Sequence, residues 1–139
     1  MTTADHYRID QDTLQDSSFR DAAIGVCALI STAGAADPAD RTRVADRIGS
    51  TPALHHFSSR ELRVQFEDHW HRLTLDPAFG RAYVLHQVAK ATERPAQARA
   101  AVRIGLDLTG ATGAVGPYGA AAARECCRVL GLTPAEFGL

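Results

Sequence analysis

The sequence predicts an all-α protein, a single compact domain of about seven helices built from two helix-turn-helix pseudo-repeats. Residues 22–54 and 101–139 carry the same features in the same order: an apolar helix, a glycine turn, a helix opened by proline and a closing G-x-T-P-A segment. No run of alternating β-branched residues is long enough to predict a strand. Since a repeated unit usually cannot bury its apolar face alone, we expect the two units to pack on each other.

The two copies align on their turn glycines. Gly34 matches Gly113 and Pro38 matches Pro117, and the closing motif follows after three extra residues in the second copy. Glycine adopts the positive φ that often ends a helix at no steric cost. We therefore predict that Gly34 and Gly113 are structural turn residues.

The first unit contains the most apolar helix of the chain. We predict that it begins at an N-cap of Ser17 or Ser18 and runs to about Thr32. Its apolar residues between 22 and 30 cover nearly the whole circumference, which is typical of a core helix. Asp37-Pro38 then places an acceptor at the N-cap and a proline at the first position of the next helix.

Start signals indicate the remaining helices. Ser58 lies three residues before Glu61, the spacing of a capping box, and the helix that follows places four large apolar residues on one face: Leu62, Phe66, Trp70 and Leu73. Asp76-Pro77 opens a helix with few charges, which we expect to be largely buried. Pro95 opens the helix that enters the second unit, and Pro117 to Leu130 forms the last helix.

Composition limits the classes of function. The chain has 139 residues and a formal charge of −1, so no overall field attracts nucleic acid or an anionic membrane. The polar segment 1–16 lacks the apolar stretch of a signal peptide, and the longest apolar run, 22–30, is too short to span a bilayer. We predict a flexible N-terminal arm at 1–16, a helical domain at 17–139, no membrane-spanning segment and a cytoplasmic location, which also suits three reduced cysteines.

The segment Cys127 to Leu139 resembles the C-terminus of the TerB tellurite-resistance family. Three further segments fit that family in order: Val26-Cys27-Ala28, Phe66 to Leu73, and Val102 to Gly105. The resemblance implies a compact all-helical domain of two pseudo-repeats with no known catalytic activity. It also implies work in the cytosol beside other tellurite-resistance and stress proteins, including a membrane-embedded partner.

The resemblance further implies a candidate metal site, from which this sequence departs. Family members carry Asp-Gly at each turn and an acid seven residues after that Asp; here the turns are Ala33-Gly34 and Thr112-Gly113, and the later positions are Asp40 and Gly119. One of four carboxylates remains, so we expect the site to be lost or weakened, with no cofactor. The alternative is a divalent-metal sensor using Asp37 and Asp40, although both acids also suit a helix N-terminus.

Histidine and cysteine pairs offer other ligands. His69 and His71, two apart on a helix, cannot clamp one ion, so we expect a solvated face. The pair His55-His56 suits turn packing, or a metal site with a third ligand from elsewhere. Cys126-Cys127 lacks the spacing of a zinc or redox motif, and small buried thiols are expected.

Arginines in the second and third predicted helices form the last candidate. These arginines are Arg41, Arg43, Arg47, Arg60 and Arg63. They could bind phosphate or an acidic partner, but the acids interleaved with them favour a solvated face of mixed charge. No nucleic-acid-binding motif accompanies them. No nucleophile and base stand at a recognisable spacing, so the residues do not indicate an enzyme. The resemblance to the TerB family and the internal repeat lead us to expect a non-enzymatic tellurite-resistance and stress-response protein that acts through protein partners.

Overall fold

The computed structural model describes residues 16–34, 36–110 and 116–139. These ranges contain six α-helices, two short 3-10 helices and no strand, so the all-α prediction is confirmed, with six α-helices against about seven expected. The α-helices are α1 (Ser17–Ser31), α2 (Pro38–Ser50), α3 (Ser59–Leu75), α4 (Pro77–Ala89), α5 (Pro95–Thr109) and α6 (Pro117–Leu130), and the 3-10 helices are Pro52–Leu54 and Pro134–Phe137.

Most helices begin where the sequence predicts. Asp37 accepts a hydrogen bond from the backbone N of Ala39 at 2.9 Å, and Ser58 accepts one from the backbone N of Glu61 at 3.4 Å. The N-cap prediction for α1 is wrong: Asp16, and neither serine, accepts from the backbone N of Ser18 at 2.7 Å. The Asp16 carboxylate also accepts hydrogen bonds from Arg94 and Gln97 at the start of α5.

Helix α1 is the central helix of the core. Every residue from Ala22 to Ile30 is buried, as its apolar circumference predicts. Its largest interface is with α5, and it also contacts α2, α3, α4 and α6. Gly105 of α5 lies directly against Val26, where a larger residue would overlap.

The two units have the same order of helices. The pair α1–α2 and the pair α5–α6 each end in a 3-10 helix at a T-P-A motif, Pro52–Leu54 and Pro134–Phe137. The second helix of each unit contacts the first helix of the other, since α2 packs on α5 and α6 packs on α1. The two units therefore cover each other's apolar surface.

The intervening helices α3 and α4 form a hairpin against α1. The four apolar residues predicted for one face of α3 are all buried. The expectation that α4 is largely buried is wrong: only the stripe Gly80, Val84 and Val88 is buried, and Phe79 is 71% exposed. Residues four apart form one narrow face, so α4 packs on its neighbours through that stripe alone.

A buried carboxylate joins three helices of this core. Asp21 of α1 accepts hydrogen bonds from Gln65 Nε2 of α3 at 2.8 Å, from Lys90 Nζ after α4 at 2.9 Å and from Arg20 Nε at 3.0 Å. Burial opposes ionisation of Asp21, but these three bonds outweigh it and hold its pKa below the usual value.

The predicted arm falls mainly on residues 1–15, which lie outside the described residues. No helix in the ranges that the structure describes is long and apolar enough to cross a membrane.

Candidate functional site

The first glycine turn lies beside the start of α6. Gly34 has a φ of +75°, and the Tyr118 ring covers it so closely that an added Cβ would lie 2.9 Å from Tyr118 Cδ2. Gly113 and Thr112 lie outside the described residues, and Gly119 is buried in α6. The first turn and the beginning of the second unit's closing helix therefore share one region of the molecule.

Asp40 is held by an arginine of its own helix. Its Oδ1 lies 3.2 Å from Arg43 Nη2, and the same nitrogen lies 3.5 Å from the backbone O of Thr109 at the end of α5. One guanidinium nitrogen thus joins the carboxylate of Asp40 to a carbonyl of the other unit.

Arg47 binds the same end of α5 one turn further along α2. Its Nη1 lies 3.3 Å from the backbone O of Leu108 and 3.3 Å from the backbone O of Gly110. The last carbonyls of a helix have no partner within it and carry partial negative charge. Arg43 and Arg47 together donate to three such carbonyls, so they cap α5 across the interface between the two units.

The expectation that the five arginines lie on a solvated face is wrong for two of them. Arg43 and Arg47 are partly buried against α5 and do not lie on a solvated face. The mixed-charge face remains for others: Arg41 lies 3.5 Å from Glu67, and Arg63 lies 3.8 Å from Asp46.

The residues that the structure describes do not fit the metal site that the resemblance implies. Calcium takes six to eight oxygen ligands and magnesium about six, usually with several carboxylates. No group of three or more His, Cys, Asp or Glu side chains in the described ranges could hold a metal ion. Asp37 caps α2, and Asp40 already has a positively charged partner that would repel a dication.

The expectation that His69 lies on a solvated face is wrong, because its side chain is 2% exposed. His71 is exposed, as expected. Neither ring nitrogen of His69 has a hydrogen-bond partner among the described residues, and Nδ1 lies 3.9 Å from Asp68 Oδ2. Burial lowers the pKa of His69.

A signal for this burial was available in the spacing. His69 lies three residues after Phe66 and four before Leu73, so helical periodicity places it on the apolar face of α3. Its ring meets the Tyr83 ring of α4 edge-on, with 5.8 Å between the centroids.

The other candidate ligands have structural roles. His55 and His56 are exposed; their ring centroids lie 3.9 Å apart, and His55 Nδ1 lies 2.7 Å from the backbone O of Pro52, which is turn packing. The three cysteines are free and buried, as expected: Cys27, Cys126 and Cys127. Burial raises the pKa of Cys27 and of Cys126 to about 12, so neither thiol is poised for redox or metal chemistry.

A family model described as tellurite resistance protein TerB matches residues 20–139. No curated protein and no solved structure matches the chain.

Proposed function

Because this chain belongs to the TerB family of tellurite resistance proteins, we propose that it is a non-enzymatic cytoplasmic protein of tellurite resistance and stress response that acts by binding protein partners. Those partners are other tellurite-resistance and stress proteins, including a membrane-embedded one. In this proposal the helical domain does not use a divalent metal ion.

The observation that carries the proposal is the family match over residues 20–139, and the contact between α2 and the end of α5 supports its metal-free part. Arg43 binds Asp40 and the carbonyl of Thr109, while Arg47 binds two further carbonyls. A fixed pair of guanidinium groups supplies positive charge where the two units meet, so the interface is stabilised without a bound ion. A sensor that used Asp37 and Asp40 would have to displace Arg43 first, and we do not propose that alternative.

The buried cysteines and His69 also favour a role without catalysis. The cysteine thiols are buried with pKa values raised by that burial, and His69 has no acid, base or nucleophile within hydrogen-bond distance among the described residues. General acid–base and nucleophilic catalysis both need such a pair at close range.

Affinity capture tests this function. The full chain carrying a tag should be captured from native cells grown with and without tellurite, with an unrelated helical protein as control. We expect reproducible enrichment of tellurite-resistance or stress proteins, and increased tellurite sensitivity when the coding sequence is deleted. Deletion without effect on tellurite survival, together with no enriched partner, would contradict the proposal.

A further inference from the structure

An open cleft lies between α5, α6 and residues 136–139. Its volume is about 940 Å³, within the range of small-molecule sites. The apolar part of the lining is formed by Leu106, Phe137 and Leu139, and the cationic part by Arg47, Arg103 and Arg124. We call this the Arg103–Arg124 cleft.

The outer wall of the cleft is attached to α5. Arg99 Nε donates to Glu136 Oε1 at 2.6 Å, and the Arg103 guanidinium lies 5.6 Å from the centre of the Phe137 ring. Leu139 N donates to the backbone O of Pro134 at 3.2 Å, which closes the short turn. The cleft is therefore formed before any ligand enters, and a preformed site costs less conformational entropy on binding.

The charge of the cleft is unbalanced in favour of anions. Of its two acids, Glu136 is paired with Arg99, which leaves Asp107. Arg47 is committed to the carbonyls at the end of α5. Arg103 and Arg124 are exposed, and neither pairs with an acid within the part of the chain that the structure describes.

We propose that the Arg103–Arg124 cleft binds a small organic oxyanion, a carboxylate or phosphate joined to an apolar chain or ring. The guanidinium groups of Arg103 and Arg124 hold the charged group, because a guanidinium donates two parallel hydrogen bonds to such oxygens. The apolar body of the ligand rests on Leu106 and Phe137. Arg47 and Gly110, which belong to the contact between the two units, also line the cleft, but Arg103 and Arg124 take no part in that contact. The test of the binding site does not depend on the proposed function.

The test is an NMR titration of the 15N-labelled full chain with octanoate, octyl phosphate and 1-octanol. We expect saturable shifts in the amides of α5, α6 and residues 134–139 with at least one of the two anions, and much weaker binding of octanol. The better anion identifies the head group. Equal binding of octanol, shifts spread over other helices, or no saturable shift with either anion would overturn the proposal.

Two arginine variants and a matched control sharpen the result. Arg124→Gln should weaken anion binding by about tenfold or more, the usual effect of losing one charged hydrogen bond. Arg103→Gln should also weaken anion binding, but it removes the contact with Phe137 as well. Arg124→Gln is therefore the variant that tests anion binding. Arg60→Gln, an exposed arginine of α3 outside the cleft, should bind as the wild type does. Unchanged affinity in Arg124→Gln would refute the assignment.

Discussion

His69 is predicted to make the stability of the fold depend on pH just below neutrality. Its ring is buried between α3 and α4 with no hydrogen-bond partner among the described residues. Burial lowers its pKa, Asp68 and Asp21 oppose this, and Arg72 and Lys90 reinforce it. The unfolded chain therefore binds a proton at a pH where the folded chain does not, so stability is complete above about pH 6.5 and falls as the pH is lowered towards the folded pKa.

The effect of His69 on the unfolding free energy has two parts, one from its proton and one from its two unsatisfied ring nitrogens. One proton taken up only by the unfolded state costs at most about 1.4 kcal/mol of unfolding free energy per pH unit. A buried polar group without a partner costs a further ~1–3 kcal/mol at any pH. His69→Leu should therefore raise the unfolding free energy by about 1–3 kcal/mol near neutral pH and by more below about pH 6.5, where it should also remove most of the pH slope.

Urea unfolding followed by the fluorescence of Trp70, the only tryptophan, measures this directly. The curves should be recorded at several pH values for the wild type, for His69→Leu and for His71→Leu, whose ring is exposed. The carboxylates with lowered pKa, Asp16 and Asp21, lose their stabilising effect only at more acidic pH, below the window used here. Parallel curves for wild type and His69→Leu, or a slope removed by His71→Leu, would refute the reasoning.

Three further predictions concern the turn, the interface and the thiols. Gly34→Ala should lower the melting temperature by several degrees, because a left-handed residue with a Cβ costs about 1–2 kcal/mol. Gly116→Ala, at an N-cap with negative φ and open space around it, should lower it less. Arg47→Ala should cost about 1–3 kcal/mol of unfolding free energy in urea titrations by leaving carbonyls of α5 unpaired, whereas Arg60→Ala should be near neutral. Iodoacetamide should label Cys27 in the unfolded chain but not in the native one at pH 8, because burial raises its pKa to about 12; fast native labelling would contradict this.

Local signals in the sequence predict the helix boundaries well. Asp37-Pro38, Asp76-Pro77 and Pro117 each open a helix at the residue expected, because a proline at the first helical position loses no intrahelical hydrogen bond. The N-cap of α1 was predicted at Ser17 or Ser18, whereas the structure has Asp16 there. Contacts with Arg94 and Gln97, far along the chain, accompany the choice of Asp16.

Burial was predicted less well where residue type and position disagree. His69 is a polar residue at a buried position of α3, so its residue type wrongly indicated exposure. The reverse holds for Phe79, an apolar residue on the outer side of α4 that remains 71% exposed. In both cases the spacing relative to buried neighbours, four or three residues apart, indicates the face better than the residue type does.

The candidate site could be predicted only in part. Missing carboxylates at the turns were visible in the sequence, and they indicated a weakened metal site. The role of Arg43 and Arg47 was not visible, because their partners at the end of α5 lie more than sixty residues away. Nothing local distinguishes an arginine that caps a distant helix from one on a solvated face.

The most direct test of this account is a thermal-melt and native-mass screen of the wild type and Asp40→Ala against calcium, manganese, magnesium and zinc. An ion that binds only the folded state should add about 2.7 kcal/mol at about a hundred times its Kd, which a melt detects. Because Arg43 occupies Asp40, we predict no shift with any of these ions and no bound metal in the mass spectrum. A shift in the wild type that Asp40→Ala abolishes would contradict the claim that guanidinium groups, and no metal ion, stabilise the contact between the two units.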